Sequence, residues 1–253
     1  MACVGVYFFA QAGLRGNETL STPDGEVRID SNLRFNLQMA AIPCEISQGR
    51  ALTIDEIAAT YGGPRGDDSA CGLSSSSTPL FPDKLVLASV VSSMCLHGGL
   101  FHLGFNMLFL WIFGNNIEDR LGHLRFAAFY LAGGIVATAG HIAAGPSSTV
   151  AIVGASGAVA GVMGAYLMWF PDAPIRTLIF LVVADVRAKW FLAAWFIMQF
   201  FTAADSGIAW VAHVAGFGYG VLLGFLARRQ TWDPTGGIGR GPYPNPGEIF
   251  STR

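Results

Sequence analysis

Charge is what this chain has least of. Of its 253 residues only 13% are Asp, Glu, Lys or Arg, against 52% hydrophobic. Soluble domains carry about 25% charged residues, so half that share argues for the membrane class before any motif is read. Basic clusters are also missing. The net charge is −2, and no stretch gathers the Lys and Arg that nucleic acid requires, so no nucleic-acid partner is expected. The four cysteines, Cys3, Cys44, Cys71 and Cys95, show no C-x-x-C spacing, and no H-E-x-x-H occurs, so no metal site is expected.

What remains is a set of long apolar runs. Five are candidate membrane spans, at about 99–117, 125–144, 149–170, 189–204 and 208–227. Gly207 to Ala227 would be roughly 31 Å as a helix at 1.5 Å per residue, close to a hydrocarbon core. The fourth run is short, and Leu178 to Val183 either extends it or lies along the interface. Leu85 to Leu96 is too short to cross and suits an interfacial or re-entrant piece.

Residues 1–12 are apolar but also too few to cross. They fit three readings: a signal peptide cleaved at Ala10-Gln11-Ala12, which lacks a basic n-region; a buried N-terminus; or the back half of a truncated first transmembrane helix. The last is preferred. Residues 13–98 read as an external loop, with a short helix over Ala51 to Thr60 and a flexible insertion at about 62–77. That insertion is too rich in Gly, Pro, Asp and Ser to pack a core. Cys44 and Cys71 both fall in this loop, where a disulfide can form. Cys3 and Cys95 sit in apolar runs and read as inert. Residues 228–253 read as a disordered tail.

Basic residues set the topology. Arg120 and Arg125, then Arg176, Arg187 and Lys189, then Arg228 and Arg229 occupy alternate loops, which are therefore cytoplasmic. The loops at Gly145 to Ser148 and at Asp205 to Ser206 contain no Lys or Arg and are external. On this scheme Ser156 and His213 each lie about five residues below the external end of their helices, at equal depth.

Depth matters because a histidine inside a span is costly and is a functional candidate by default. Gly216, Gly220 and Gly224 share the His213 face, and Gly157 and Gly161 follow Ser156. Small residues at this spacing let helix backbones approach closely in lipid. That contact would bring the imidazole to the Ser156 hydroxyl, and a neutral imidazole converts a weak serine nucleophile into an effective one. His102 and Asn106 stand at i and i+4 near the external end of their span. With the backbone N–H of Ser156 they can line an oxyanion hole, where one donor is worth roughly 3 to 4 kcal/mol. His97 lies just outside the span and reads as shaping the loop; His123 and His141 read as incidental. No buried acid accompanies His213, so a dyad is expected. Taken singly, a membrane serine more often bonds its own backbone, and a membrane histidine is as often structural.

These residues together resemble the rhomboid family of intramembrane serine proteases, most closely its bacterial members. The matching stretches are Gly154-Ala155-Ser156-Gly157, His97 through Asn106, Ala212-His213-Val214-Ala215-Gly216 with Gly220, and Phe113 through Gly122. The likeness runs from about Ile42 to Ala227, apart from the insertion. It implies an all-α polytopic bundle with a six-helix core whose first helix is truncated here, five of the helices lying in residues 99–227. It implies Ser156 as nucleophile, His213 as base, His102 and Asn106 in the oxyanion hole, and no cofactor. The implied partners are the lipid bilayer of the cell membrane and single-pass transmembrane substrates, cut near the external face. An aromatic that stacks on the histidine in some members would fall at Ala160, so His213 must be positioned from elsewhere. The competing reading is a non-catalytic rhomboid-like protein that binds transmembrane helices. Oligomeric state is not legible.

Overall fold

The structure is a computed structural model, described over residues 2–14, 16–22, 25–61, 70–73, 78–179, 182–201 and 210–228. Most of the expected insertion (62–69 and 74–77), the expected loop at Asp205 to Ser206 and the tail beyond Arg228 lie outside the described residues.

The chain is an integral membrane protein built as a helical bundle. Among the described residues, three helices are long and apolar enough to cross a bilayer: α6 (Leu100–Leu121), α7 (His123–Ala144) and α10 (Trp210–Arg228). Three apolar helices are shorter: α1 (Ala2–Val6), which runs on as a π-turn through Gln11, α8 (Ser156–Trp169) and α9 (Ala188–Phe201). Aromatic and aliphatic side chains from α6, α7, α8, α9 and α10, among them Phe113, Ile117, Phe129, Met163, Tyr166, Leu192 and Phe217, form one core. Helix α8 is the hub. Ten of its residues, Gly157 through Tyr166, are buried in succession, so it is surrounded by protein and has no lipid-facing stripe.

Two helices meet without side chains between them. A Cβ on Gly216 would run into the carbonyl of Gly157, and one on Gly220 into the carbonyl of Gly161. No residue larger than glycine fits at either place, which is why the every-fourth-residue glycines of α10 lie against α8. Trp169 Nε1 donates to Gly224 O at 2.9 Å at the far end of the same pair, and the Arg120 guanidinium covers the Trp169 ring at 4.7 Å.

Two expectations from the apolar runs need correction. The run over 149–170 is not one helix. Residues 149–155 are extended or bent and α8 begins at Ser156, because other segments take up the backbone of this stretch. Ile152 N–H donates to Ala41 O at 2.8 Å, Gly154 N–H to Ser93 O at 3.0 Å, and Ala151 N–H to the Tyr61 hydroxyl at 3.1 Å. Ser156 therefore stands at the first residue of its helix, not about five residues into it. The second concerns Leu178 to Val183, for which only the alternative that they extend α9 falls. Pro174–Ile179 (β3) and Val182–Arg187 (β4) form an antiparallel hairpin between α8 and α9, as suits a run of β-branched residues. Ion pairs Arg176–Asp185 and Lys189–Asp172 hold its base.

The segment before α6 is a small folded module. It holds a hairpin, Asn17–Thr22 (β1) with Gly25–Asp30 (β2), and the helices Ser31–Met39 (α2), Pro43–Gln48 (α3) and Ile54–Tyr61 (α4). Asp30 caps α2 by accepting from the N–H of Asn32 and Leu33. Ile29, Leu37, Ile42, Cys44, Leu52 and Ile57 form its core. Cys44 and Cys71 are disulfide-bonded, with Cα atoms 5.7 Å apart. Residues 85–98 follow as short turns, with Ser89–Ser92 (α5) continuing into a 3₁₀ turn to Cys95. Gln11 pins the first helix to this stretch: its amide donates to His97 O at 2.7 Å and accepts from His97 N–H at 3.1 Å.

Candidate active site

Ser156 opens α8, and the backbone just before it is special. Gly154 has φ +121°, a region that L side chains rarely adopt. A Cβ there would lie 2.9 Å from His102 Cε1, 3.0 Å from His102 Nε2 and 3.6 Å from Ser156 Oγ. Glycine thus leaves the space into which the His102 ring edge reaches toward the serine. The N-terminal position also leaves the first N–H groups of α8 without intrahelical partners, and such a terminus favours an anion beside it.

His213 lies one turn into α10 and is held against Ser156 by the glycine contact. Its Nε2 stands 2.8 Å from Ser156 Oγ, within the reach a general base needs. Its Nδ1 stands 2.7 Å from Gln199 Oε1 on α9. The Trp195 ring of the same helix lies 6.0 Å from the imidazole, tilted by 40°. The positioning that Ala160 cannot supply from α8 thus comes from α9.

The donors come from α6. Gly98 N–H donates to His102 Nδ1 at 3.2 Å, so the His102 proton sits on Nε2, the nitrogen at the Gly154 end. Asn106 is buried, and one of its amide protons goes to His102 O at 2.8 Å; the other is left for a ligand. His97 is not merely a loop former: it is 1% exposed, its ring meets the His102 ring edge-on at 5.2 Å, and its Nδ1 lies 3.3 Å from Cys95 O. A cavity of about 20 Å³ lies behind Ser156, lined by Met94, Ala137, Thr138, Val153 and Gly157 among others. That is room for one water.

The remaining histidines form no hydrogen bond with Ser156, His102 or His213 among the described residues. His123 begins α7 and pairs with Glu118 at 2.6 Å. His141 is in the last turn of α7. Cys3 is buried and its thiol faces Met94 O at 3.4 Å. Among the described residues one group of side chains has ligand-like geometry, Cys44, Glu56 and Cys71, but both cysteines are in the disulfide and Glu56 is bound by Arg50, so its donors are engaged.

Gln199 escaped the sequence reading. A signal existed: it is the only amide, hydroxyl or charged side chain between Trp190 and Phe201, and a lone amide in an apolar helix needs a partner. Gly154 carried no sequence signal beyond its neighbour Ser156, since its role depends on a backbone angle.

A family model for the rhomboid domain matches residues 85–230. The chain is similar to Rhomboid protein 1, mitochondrial, of Saccharomyces cerevisiae, at 34% identity over 148 residues, 54% of this chain and 41% of that one. It is 42% identical over 78 residues to Rhomboid protease GluP of Bacillus subtilis, covering 31% of this chain and 15% of that one. It is 30% identical over 161 residues to human Presenilin-associated rhomboid-like protein, mitochondrial, covering 59% and 40%. The matches span less than half the length of each of these relatives.

Proposed function

The chain belongs to the rhomboid family, and on that premise we propose that it is an intramembrane serine endopeptidase working through a Ser156–His213 dyad. The observation that carries this reading is the 2.8 Å contact between Ser156 Oγ and His213 Nε2. In attack, His213 Nε2 takes the Ser156 proton as Oγ bonds to the scissile carbonyl carbon. The carbonyl oxygen becomes an oxyanion facing the Ser156 N–H, the His102 Nε2–H and the free Asn106 amide proton. Collapse breaks the C–N bond, and His213 gives its proton to the leaving amine. Water then attacks the acyl-enzyme, with His213 again as base, and the acid product leaves with the serine regenerated.

Burial in the bundle supports a substrate that is itself a membrane segment, a single-pass transmembrane protein unwound near the external face of the cell membrane. Residues 13–98 then form an external module and the basic loops face the cytoplasm.

The test uses the full chain in membranes with a fluorophosphonate probe and a single-pass reporter substrate. Wild type is labelled and cleaves; Ser156→Ala does neither. Cleavage also falls in acid once His213 is protonated and cannot accept the serine proton. Equal labelling of wild type and Ser156→Ala would overturn the enzyme reading in favour of the non-catalytic, helix-binding one.

A further inference from the structure

His213 makes two hydrogen bonds, and a dyad accounts for one of them. The other runs from Nδ1 to Gln199 Oε1 on α9 at 2.7 Å. We propose that Gln199 is a positioning residue that fixes the tautomer of His213, making the unit a serine–histidine–amide relay with its third member on α9. The proposal rests on the protease reading above.

The proton assignments follow one from another. Gln199 Nε2 donates to the carbonyl of Trp195, one turn earlier on α9, at 2.9 Å. A carbonyl can only accept, so the amide nitrogen must face it and Oε1 must face the imidazole. Oε1 in turn can only accept, so His213 carries its proton on Nδ1. The lone pair is then on Nε2, and that atom faces Ser156 Oγ at 2.8 Å. With the opposite tautomer, Nε2 would carry the proton and could not take the serine's, while Nδ1 and Oε1 would meet as two acceptors.

The choice of an amide suits its place. Gln199 is buried on a stretch of helix that is otherwise apolar from Trp190 to Phe201, where an ionised carboxylate is costly. A neutral amide orients the ring without that cost, though it does not stabilise the imidazolium as a carboxylate would. Trp195, against the same imidazole, limits its tilt from the same helix. The competence of the base therefore depends on α9 as well as on the α8–α10 glycine contact.

The experiment compares wild type, Gln199→Leu and Gln199→Glu in membranes. Readouts are cleavage kinetics on the single-pass reporter, fluorophosphonate labelling and thermal melting. Leu removes the acceptor at similar volume. Glu keeps an acceptor toward Nδ1 and, when protonated, a donor toward Trp195 O. The expected result for Gln199→Leu is a fall in kcat of about 10–100-fold with KM within about twofold, less than the 10²–10⁴ a general base contributes. Gln199→Glu should recover most of that loss. Wild-type kcat in Gln199→Leu, or a loss in Gln199→Leu that Gln199→Glu does not recover, overturns the proposal. Failure of the protease reading looks different: Ser156→Ala would then be labelled like wild type whatever Gln199 does.

Discussion

The bundle and the module before it solve the same problem by opposite means. In the bundle, α8 and α10 meet backbone to backbone at Gly157–Gly216 and Gly161–Gly220. Lipid is as apolar as leucine, so burying aliphatic surface gives little drive there and close van der Waals contact has to do the holding. The module has a small apolar core and adds strong polar ties. The Lys84 side chain is 1% exposed, and its Nζ pairs with Glu45 and donates to the carbonyls of Leu37 and Ala40 at 2.6 and 2.9 Å. Glu56 accepts from Arg50 through both oxygens, at 2.8 and 2.6 Å, and from Gly72 N–H at 2.6 Å. The disulfide Cys44–Cys71 adds a covalent tie. The regions are joined through residues 148–154, where the module takes up the backbone that leads into Ser156. The glycine contact therefore sets the distance from Ser156 to His213, while the module sets where the serine helix begins.

The comparison breaks most severely at Gly220. Gly220→Val would push side-chain atoms into the Gly161 carbonyl, and on the proposed Ser156–His213 mechanism a shift of about 1 Å between the reacting groups can cost 100-fold. Cleavage by Gly220→Val should fall by more than about 100-fold, and the module should keep its protection from hydrogen exchange. Gly218 supplies the control: a Cβ there meets nothing within 4 Å, so Gly218→Ala should cleave like wild type. Equal losses in both variants would mean that α8–α10 packing does not set the geometry.

In the module the corresponding break is Lys84→Met. Removing one partner of a buried pair strands the other and costs about 3–5 kcal/mol. Burial pushes the Glu45 carboxyl up and the Lys84 ammonium down, against the attraction between them. Without Lys84 only the hydrogen bond from Leu52 N–H still opposes that push on Glu45. A carboxyl whose folded pKa exceeds its unfolded value binds its proton more tightly in the fold. The deficit of Lys84→Met should therefore be smallest in acid and grow as pH rises through the folded Glu45 pKa. Exchange protection of module amides measured against pH checks this, and a deficit independent of pH would show that Glu45 is not what the variant strands. Loss of the disulfide in Cys44→Ser with Cys71→Ser should cost slightly less, about 3 to 4 kcal/mol for a 27-residue separation on the chain-entropy argument.

The two regions also differ in how much of them the sequence discloses. The bundle was legible because lipid imposes a rule on composition: apolar runs mark α6, α7 and α10, and glycines every fourth residue mark the face of α10 that meets α8. The start of α8 was not legible, since the run from Thr149 is as apolar as a helix and only tertiary hydrogen bonds to Ala41, Tyr61 and Ser93 keep its first residues extended. The β3–β4 hairpin was hidden for a related reason, a short β-branched run being ambiguous between strand and helix. Gln199 faces His213 only once α9 is placed. The module was least legible. Its helix at Ile54–Tyr61 and its cysteines could be picked out one by one, but the pairing of Lys84 with Glu45 spans 39 residues and follows no periodicity.

The smallest effect expected is at Glu56, and its sign separates the two ion pairs of the module. Burial alone would raise this carboxyl, but hydrogen bonds from Arg50 and from the N–H groups of Thr53 and Gly72 overcome it and bring the pKa down to about 2. A carboxylate depressed in the fold contributes stability above its unfolded pKa, near 4.3, and that contribution is lost as pH falls through the folded value. Between about pH 4.3 and 2 the wild-type module should therefore weaken steadily, the opposite of Lys84→Met, whose deficit eases in acid. Glu56→Gln keeps the shape but removes the charge and sets an NH2, which cannot accept, against the donors on one of the two oxygens, and should cost about 2 kcal/mol at neutral pH. That difference should shrink toward pH 2, where wild type loses the same charge. If exchange protection in Gly72 and its neighbours showed the same acid dependence in Glu56→Gln as in wild type, the acid sensitivity would belong to another group, and the contrast between a neutral glycine seam and a charge-held module would rest on Lys84–Glu45 and the disulfide alone.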